Sequence, residues 1–171
     1  MRFLLSFLYH YPLFMAFAWM LGSLAYRLRR APQSDPREPP ELKERPKVSI
    51  LIPCHNEEQV IAETLRNIMA LDYPDFEVLA VDDGSTDGTL RALKAARRDY
   101  PRLRVIALTQ NRGKATALNT GLLASRSDFL VCLDADSYLE QDALRWIMWH
   151  FVNSPRVGAV TGNPRIRNRT S

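Results

Sequence analysis

From residue 48 onward the chain alternates between two textures, and this alternation restricts the possible folds more than any other feature. Short apolar, partly β-branched runs occur at 48–52, 76–81, 103–108, 129–133 and 157–160. Between them lie longer segments with helical spacing, at 57–70, 86–99, 113–125 and 140–153. In the first of these, Val60, Ile61, Leu65, Ile68 and Met69 fall on one side; in the second, Leu90, Leu93 and Ala96 do. Strands that are nearly all apolar need cover on both faces, and strands separated by helices of this length join in parallel through right-handed crossovers. The pattern predicts an α/β fold with a doubly wound, Rossmann-like sheet. No internal repeat is visible.

Sheets of this kind bind ligands beyond the carboxyl ends of their strands. Functional polar residues should therefore follow the strands. Run 48–52 is followed by Pro53-Cys54-His55-Asn56-Glu57, and run 76–81 by Asp82-Asp83-Gly84-Ser85. Run 103–108 is followed by Asn111-Arg112-Gly113-Lys114, and run 129–133 by Asp134-Ala135-Asp136. Polar and charged residues thus gather on one edge of the expected sheet.

Asp134 and Asp136 are two apart, which in extended geometry puts both carboxylates on one face. Two close carboxylates repel unless a cation or a ligand stabilises them, and magnesium commonly links one or two carboxylates to substrate phosphates. An isolated D-x-D is more often a helix cap. At the end of an apolar strand, beside three other polar strand ends, the cation reading is preferred. Asp82 and Asp83 read either as turn formers or as acceptors for a nucleobase, with Gly84 allowing a tight turn and Ser85, Thr86 or Asp87 capping the next helix. Lys114 opens a helix whose amino terminus favours anions, and it could meet a diphosphate as a point charge; the alternative is a solvated surface lysine. Asn56 and Glu57 carry a weaker signal, Asn56 reading equally well as a plain cap. There is no P-loop, G-x-S-x-G, H-E-x-x-H or C-x-x-C motif, and His55 and His150 lack a zinc ligand set.

Before residue 31 the texture is different. Residues 3–26 contain no Asp, Glu, Lys or Arg, and a helix of that length covers about 36 Å, enough for a hydrocarbon core of about 30 Å. The apolar run exceeds the usual length of a signal-peptide core, and a buried soluble helix is the third alternative. Residues 1–30 are read as a transmembrane helix with a basic flank of Arg27, Arg29 and Arg30, which places the following domain in the cytoplasm. Residues 31–46 are a proline-rich linker, and 47–171 the folded region. The net charge of +4 equals the surplus of the first 30 residues, since the rest balances. That argues against a nucleic-acid-binding surface. Two cysteines, Cys54 and Cys132, suggest buried reduced thiols, not a disulfide framework.

The stretches VSILIPCHNEE, VLAVDDGSTDGT, NRGKATALNTGL and FLVCLDADSYL, in that order, resemble the family 2 glycosyltransferases of the GT-A type, over about residues 47–163. PRVGAVTGNPRIR and the lead-in helix are most similar to the bacterial poly-β-1,6-N-acetyl-D-glucosamine synthases, which polymerise an exopolysaccharide of the biofilm matrix. The resemblance implies a UDP-sugar donor such as UDP-N-acetylglucosamine, a growing polysaccharide acceptor, a magnesium or manganese ion, and inversion at the sugar. It implies a bacterial inner-membrane location with the catalytic region facing the cytoplasm, and partners among synthase or secretion subunits. By the same resemblance Pro53 and Glu57 lie near the uridine, and Asp82 and Asp83 form the acidic pair that contacts the uracil. Lys114 is the donor-pocket lysine; Asp134 contacts the nucleotide, and Asp136, with Asp134, holds the metal. Members of the family continue into an acceptor half with T-E-D-like and Q-x-x-R-W-like motifs, which are absent by Ser171. We therefore expect a donor-binding half without the general base, the alternative being a catalytically inactive membrane remnant or subunit.

Overall fold

The computed structural model describes residues 2–30 and 41–163, with only the backbone described for 2–6, 8, 27, 29 and 30. The chain divides into two compact units, Met1–Glu38 and Pro39–Ser171. In the first, α1 (Arg2–Arg30) is a helix of 29 residues with Pro12 inside it. The expected helix is present; among the described residues, which leave out the side chains of 2–6 and 8, no helix is long and apolar enough to cross a membrane. Tyr9, His10, Tyr11 and Pro12 interrupt the apolar run together, and Gly22, Ser23 and Tyr26 do so again near its end. Phe14, Trp19 and Leu21 are exposed along it. The side chains of the basic flank and residues 31–40 of the linker lie outside the described residues; 41–46 have no regular structure.

The second unit runs β1 (Val48–Cys54), α2 (Ile61–Met69), β2 (Phe76–Asp82), α3 (Thr89–Asp99), β3 (Leu103–Ala107), α4 (Lys114–Ala124), β4 (Phe129–Cys132) and α5 (Ala143–Asn153). The strands form one sheet in the order β3-β2-β1-β4, every pair parallel. The order reverses direction between β1 and β4, which is where a doubly wound sheet opens a crevice at its carboxyl edge.

The two central strands are buried along nearly their whole length, as their unbroken apolar sequence requires. Val48, Ile50, Ile52, Val78 and Ala80 face a core completed by Ile61, Leu65 and Ile68 of α2, Leu93 of α3, and Leu144 and Met148 of α5. The opposite face carries α4, where Gly121 lets the helix approach β1 and β2; a methyl added there would lie 3.2 Å from Leu51 Cδ2.

Two expectations fail. Residues 157–160 form no strand: Val157 N–H donates to Ser154 O in a turn, and none of the described strands pairs with this run. A strand exists through its ladder, and three apolar residues interrupted by Gly158 find none among the described strands. Cys54 is buried, but Cys132 is exposed. Leu130 and Cys132 sit beside Ser49 and Leu51 on the α4 face, and α4 contacts β1 and β2. Among the described residues, that leaves this side of β4 exposed.

At the amino ends of the strands a buried polar knot closes the α4 face. Glu77, 6% exposed, accepts hydrogen bonds from Ser49 Oγ at 2.8 Å, Arg104 Nη1 at 3.0 Å and Arg126 N–H at 2.8 Å. Ser127 Oγ also bonds Ser49 Oγ, and Arg104 reaches Ala124 O at the end of α4. Burial raises the Glu77 pKa, but the bonds from Ser49, Arg104 and Arg126 outweigh it and hold the carboxyl below its ordinary value. A carboxyl depressed on folding adds stability above its unfolded pKa, near 4.3, and loses it as the pH falls through the folded value. Glu77→Gln is expected to cost about 2 kcal/mol at neutral pH. It should also flatten the loss of stability below about pH 4 relative to the parent, measured by urea unfolding across a pH series.

Candidate functional site

Strand register fixes where the polar strand ends emerge. Cys54 pairs with Asp82, and Leu51 with Cys132. Asp83 therefore leaves β2 just past the end of β1, and Asp134 leaves β4 level with Pro53. The two acids share the carboxyl edge with β1 between them, about 10 Å apart by strand spacing.

Asp83 is 3% exposed and spends both carboxylate oxygens on backbone donors. Arg112 N–H donates to Oδ1 at 2.9 Å and Gly113 N–H to Oδ2 at 2.7 Å. These donors precede α4, whose positive end favours the charge. Gly113, at φ +89°, makes the turn into the helix. Gly84, at φ +63°, is required by contact as well as angle, since a Cβ there would lie 2.4 Å from the backbone carbon of Gln110. The β2 and β3 loops are thereby locked together.

Asp82 is 1% exposed, and its Oδ1 has no hydrogen-bond partner among the described residues. A buried acceptor without a donor is costly in isolation and suits a ligand N–H. The neighbouring Cys54 thiol is pushed up to about 12, by burial first and then by the Asp82 and Glu57 carboxylates.

Lys114, the first residue of α4, reaches across to β4. Its Nζ lies 2.5 Å from Asp134 Oδ1, an ion pair between half-exposed side chains. The hydrogen bond it donates to Asp134, with the charges of Asp134 and Asp136 adding to it, holds the ammonium above its ordinary value. Asp134 and Asp136 are exposed while Ala135 between them is buried, so both carboxylates face outward from one turn. Among the described residues no three His, Cys, Asp or Glu side chains gather to hold a metal. Two outward carboxylates fit a magnesium- or manganese-type ion that takes its other ligands from water and phosphate; they do not make a protein-only cage.

Pro53 lies in β1 opposite Val81, partly exposed. Glu57 acts through its backbone: its N–H donates to Thr89 Oγ1 at 2.7 Å, and its carbonyl accepts from Val60 and Ile61. Asn56, at φ +58°, does not cap its own helix; its Oδ1 accepts from Thr86 N–H at 2.9 Å. Asp87 caps α3 through Thr89 N–H.

Several contributors escaped sequence reasoning. His55 Nδ1 lies 2.9 Å from Asp83 O, while Nε2 faces Asn111 Nδ2 at 3.0 Å and Asn56 Nδ2 at 3.3 Å. A carbonyl only accepts, so the network assigns the proton to Nδ1 and makes Nε2 the acceptor. Thr64 Oγ1 donates to Ala135 O at 2.6 Å, and Asn67 pairs with both backbone groups of Leu139, so α2 holds the Asp134–Asp136 turn from behind. Thr64 and Asn67 carry a legible signal, being polar residues beside an apolar helical stripe. His55 and Asn111 are marked in sequence only by their place after a strand, and their mutual bond needs the fold. A surface depression of about 590 Å³ between α2 and α5, lined by Asn67, Asp72, Glu140 and Arg145 among others, includes none of the expected site residues.

Asp83→Asn sets an amide NH2 against one of two backbone donors. Amide exchange at Arg112 and Gly113 is expected to accelerate about tenfold or more, with β1 unchanged, in hydrogen-exchange mass spectrometry.

Comparison with known proteins gives this geometry a context. The sequence pattern described as "Glycosyl transferase family 2" matches residues 49–170. The poly-β-1,6-N-acetyl-D-glucosamine synthase of Staphylococcus aureus (strain COL) is 37% identical over 168 residues, 97% of this chain and 40% of the relative. The synthase of the same name from Staphylococcus epidermidis is 35% identical over the same share. The chain thus spans about 40% of the length of these curated relatives. Among solved structures, the mannosyltransferase PcManGT from Pyrobaculum calidifontis, in complex with GDP-Man and Mn2+, matches with TM-score 0.61 and 35% identity, covering 72% of this chain and 37% of that one. S. aureus TarS 1–349 in complex with UDP-GlcNAc matches with TM-score 0.53 and 34% identity, covering 58% and 29%. The parallel α/β sheet with acids at its carboxyl edge is accordingly a GT-A-like sheet, and the chain belongs to glycosyl transferase family 2.

Proposed function

We propose that this chain binds the nucleotide-sugar donor of a membrane-associated, inverting glycosyltransferase that extends an N-acetylglucosamine polysaccharide from UDP-N-acetylglucosamine. The observation that carries the reading is the continuous link from Asp83 through Gly113 and Lys114 to Asp134, which joins the ends of β2, β3 and β4 around β1. Likeness to synthases named for that polymer, and to a structure titled as a complex with UDP-GlcNAc, supports the choice of donor.

In this reading the Asp82–Asp83 pair accepts from the imide N–H of uracil, with Pro53 and Glu57 on the same edge. Asp83 also keeps the β3–α4 loop in place. Lys114 meets the diphosphate, and Asp134 and Asp136 hold magnesium or manganese. When bound, a divalent cation supplies neutralising charge to the diphosphate leaving group. The acceptor hydroxyl attacks C1 from the face opposite the diphosphate, the C1–oxygen bond breaks with its electrons leaving on UDP, and the anomeric centre inverts. The hydroxyl proton needs a base, and no residue of this chain is assigned that role.

The exposed Phe14, Phe17, Trp19, Met20 and Leu24 of α1 support association of the chain with a bilayer, the second unit lying on the cytoplasmic side of a bacterial inner membrane. Interaction with other synthase or secretion subunits belongs to the same reading. Flotation with lipid vesicles should carry the full chain upward, and deletion of residues 1–30 should abolish this; equal flotation without them contradicts the assignment.

Calorimetry on the full chain tests the donor site. UDP-N-acetylglucosamine should bind in the presence of Mn2+ and displace poorly with GDP-mannose. Asp136→Ala should weaken metal-dependent binding at least tenfold, and an unchanged affinity would reject the site.

A further inference from the structure

Lys114 stands in two relationships at once. Its position at the start of α4, next to the pinned Gly113, suits it to meet a diphosphate, yet its ammonium sits on Asp134 with Asp136 adding to the attraction. The backbone below it is held by Asp83, whereas the Lys114 and Asp134 side chains are 61% and 56% exposed. Such an exposed pair is weakly held and can part without unfolding anything. One cation therefore serves the acid pair that would hold a metal and the phosphates that the metal would bridge.

We propose that Lys114 is a placeholder cation: it neutralises Asp134 and Asp136 before a metal binds and yields Asp134 to a divalent ion when a nucleoside diphosphate draws the ammonium onto its phosphate oxygens. The proposal rests on the donor-site reading above and deepens it. No covalent bond changes; two ion pairs form where one is broken. The consequence is a linkage between ligands. A metal arriving alone must displace the lysine, while a metal arriving with the nucleotide finds Asp134 already released. Part of the cooperativity between them then resides in Lys114, and by linkage it is reciprocal.

The test is Mn2+ binding to the full chain, followed by electron paramagnetic resonance with and without saturating UDP, in the parent, Lys114→Met and Asp136→Ala, with thermal melts to check folding. In Lys114→Met, Mn2+ should bind about fivefold tighter without UDP, the competing ion pair being gone. With UDP present it should bind no tighter than in the parent, so the enhancement by UDP shrinks. Equal tightening in both states would mean simple charge repulsion and would overturn the exchange, as would no change in either state. If Mn2+ binds through Asp136 in the parent and the enhancement survives in Lys114→Met, this proposal alone falls. If the parent shows no Asp136-dependent Mn2+ binding even with UDP, the donor-site reading falls and takes the proposal with it.

Discussion

The site depends on one buried carboxylate. Asp83 occupies the amino end of α4 and takes both Arg112 and Gly113 amides. Hydrogen bonds to a charged acceptor contribute about 1.5–3 kcal/mol each, and the helix end adds to this. The chain entering α4 is thereby set in register with β2, and Lys114, one residue on, comes within reach of Asp134. In a dinucleotide-binding sheet the corresponding helix end receives a phosphate. Here the protein's own carboxylate already fills that role, so in the proposed donor reading phosphate charge would be met by side-chain and metal cations instead.

Much of this architecture was readable from residue types. β1 and β2 are nearly uninterrupted apolar runs, and such runs have one stable environment, between two layers. The order of strand and helix, and the polar strand ends, followed from the same pattern. Run 157–160 has the composition of a strand but no ladder partner among the described strands, and composition does not report a partner. The length of α1 was legible in the run 3–26, which carries no charged residue.

Within the site, the acids and Lys114 were legible because charge at the end of an apolar strand is conspicuous. Their division of labour was not. Asp82 and Asp83 are adjacent and chemically identical, yet one carboxylate is committed to backbone amides and the other keeps an unpartnered oxygen. That difference arises from strand alternation and a loop thirty residues away. His55 and Asn111 lie 56 positions apart, and their bond exists only once β1 and the β3 loop are side by side. Thr64 reaches Ala135 across 71 positions in the same way. Polar contacts at such separation leave no periodicity to detect.

The unequal cover of the two sheet faces gives this chain a built-in reporter. Cys54 lies in the well-covered core as an inert thiol, while Cys132, on the open side of β4, is exposed two residues before Asp134. A maleimide fluorophore would therefore attach at a single position beside the acid pair without any engineered cysteine. Its emission could follow events at the carboxyl edge in the unaltered sequence.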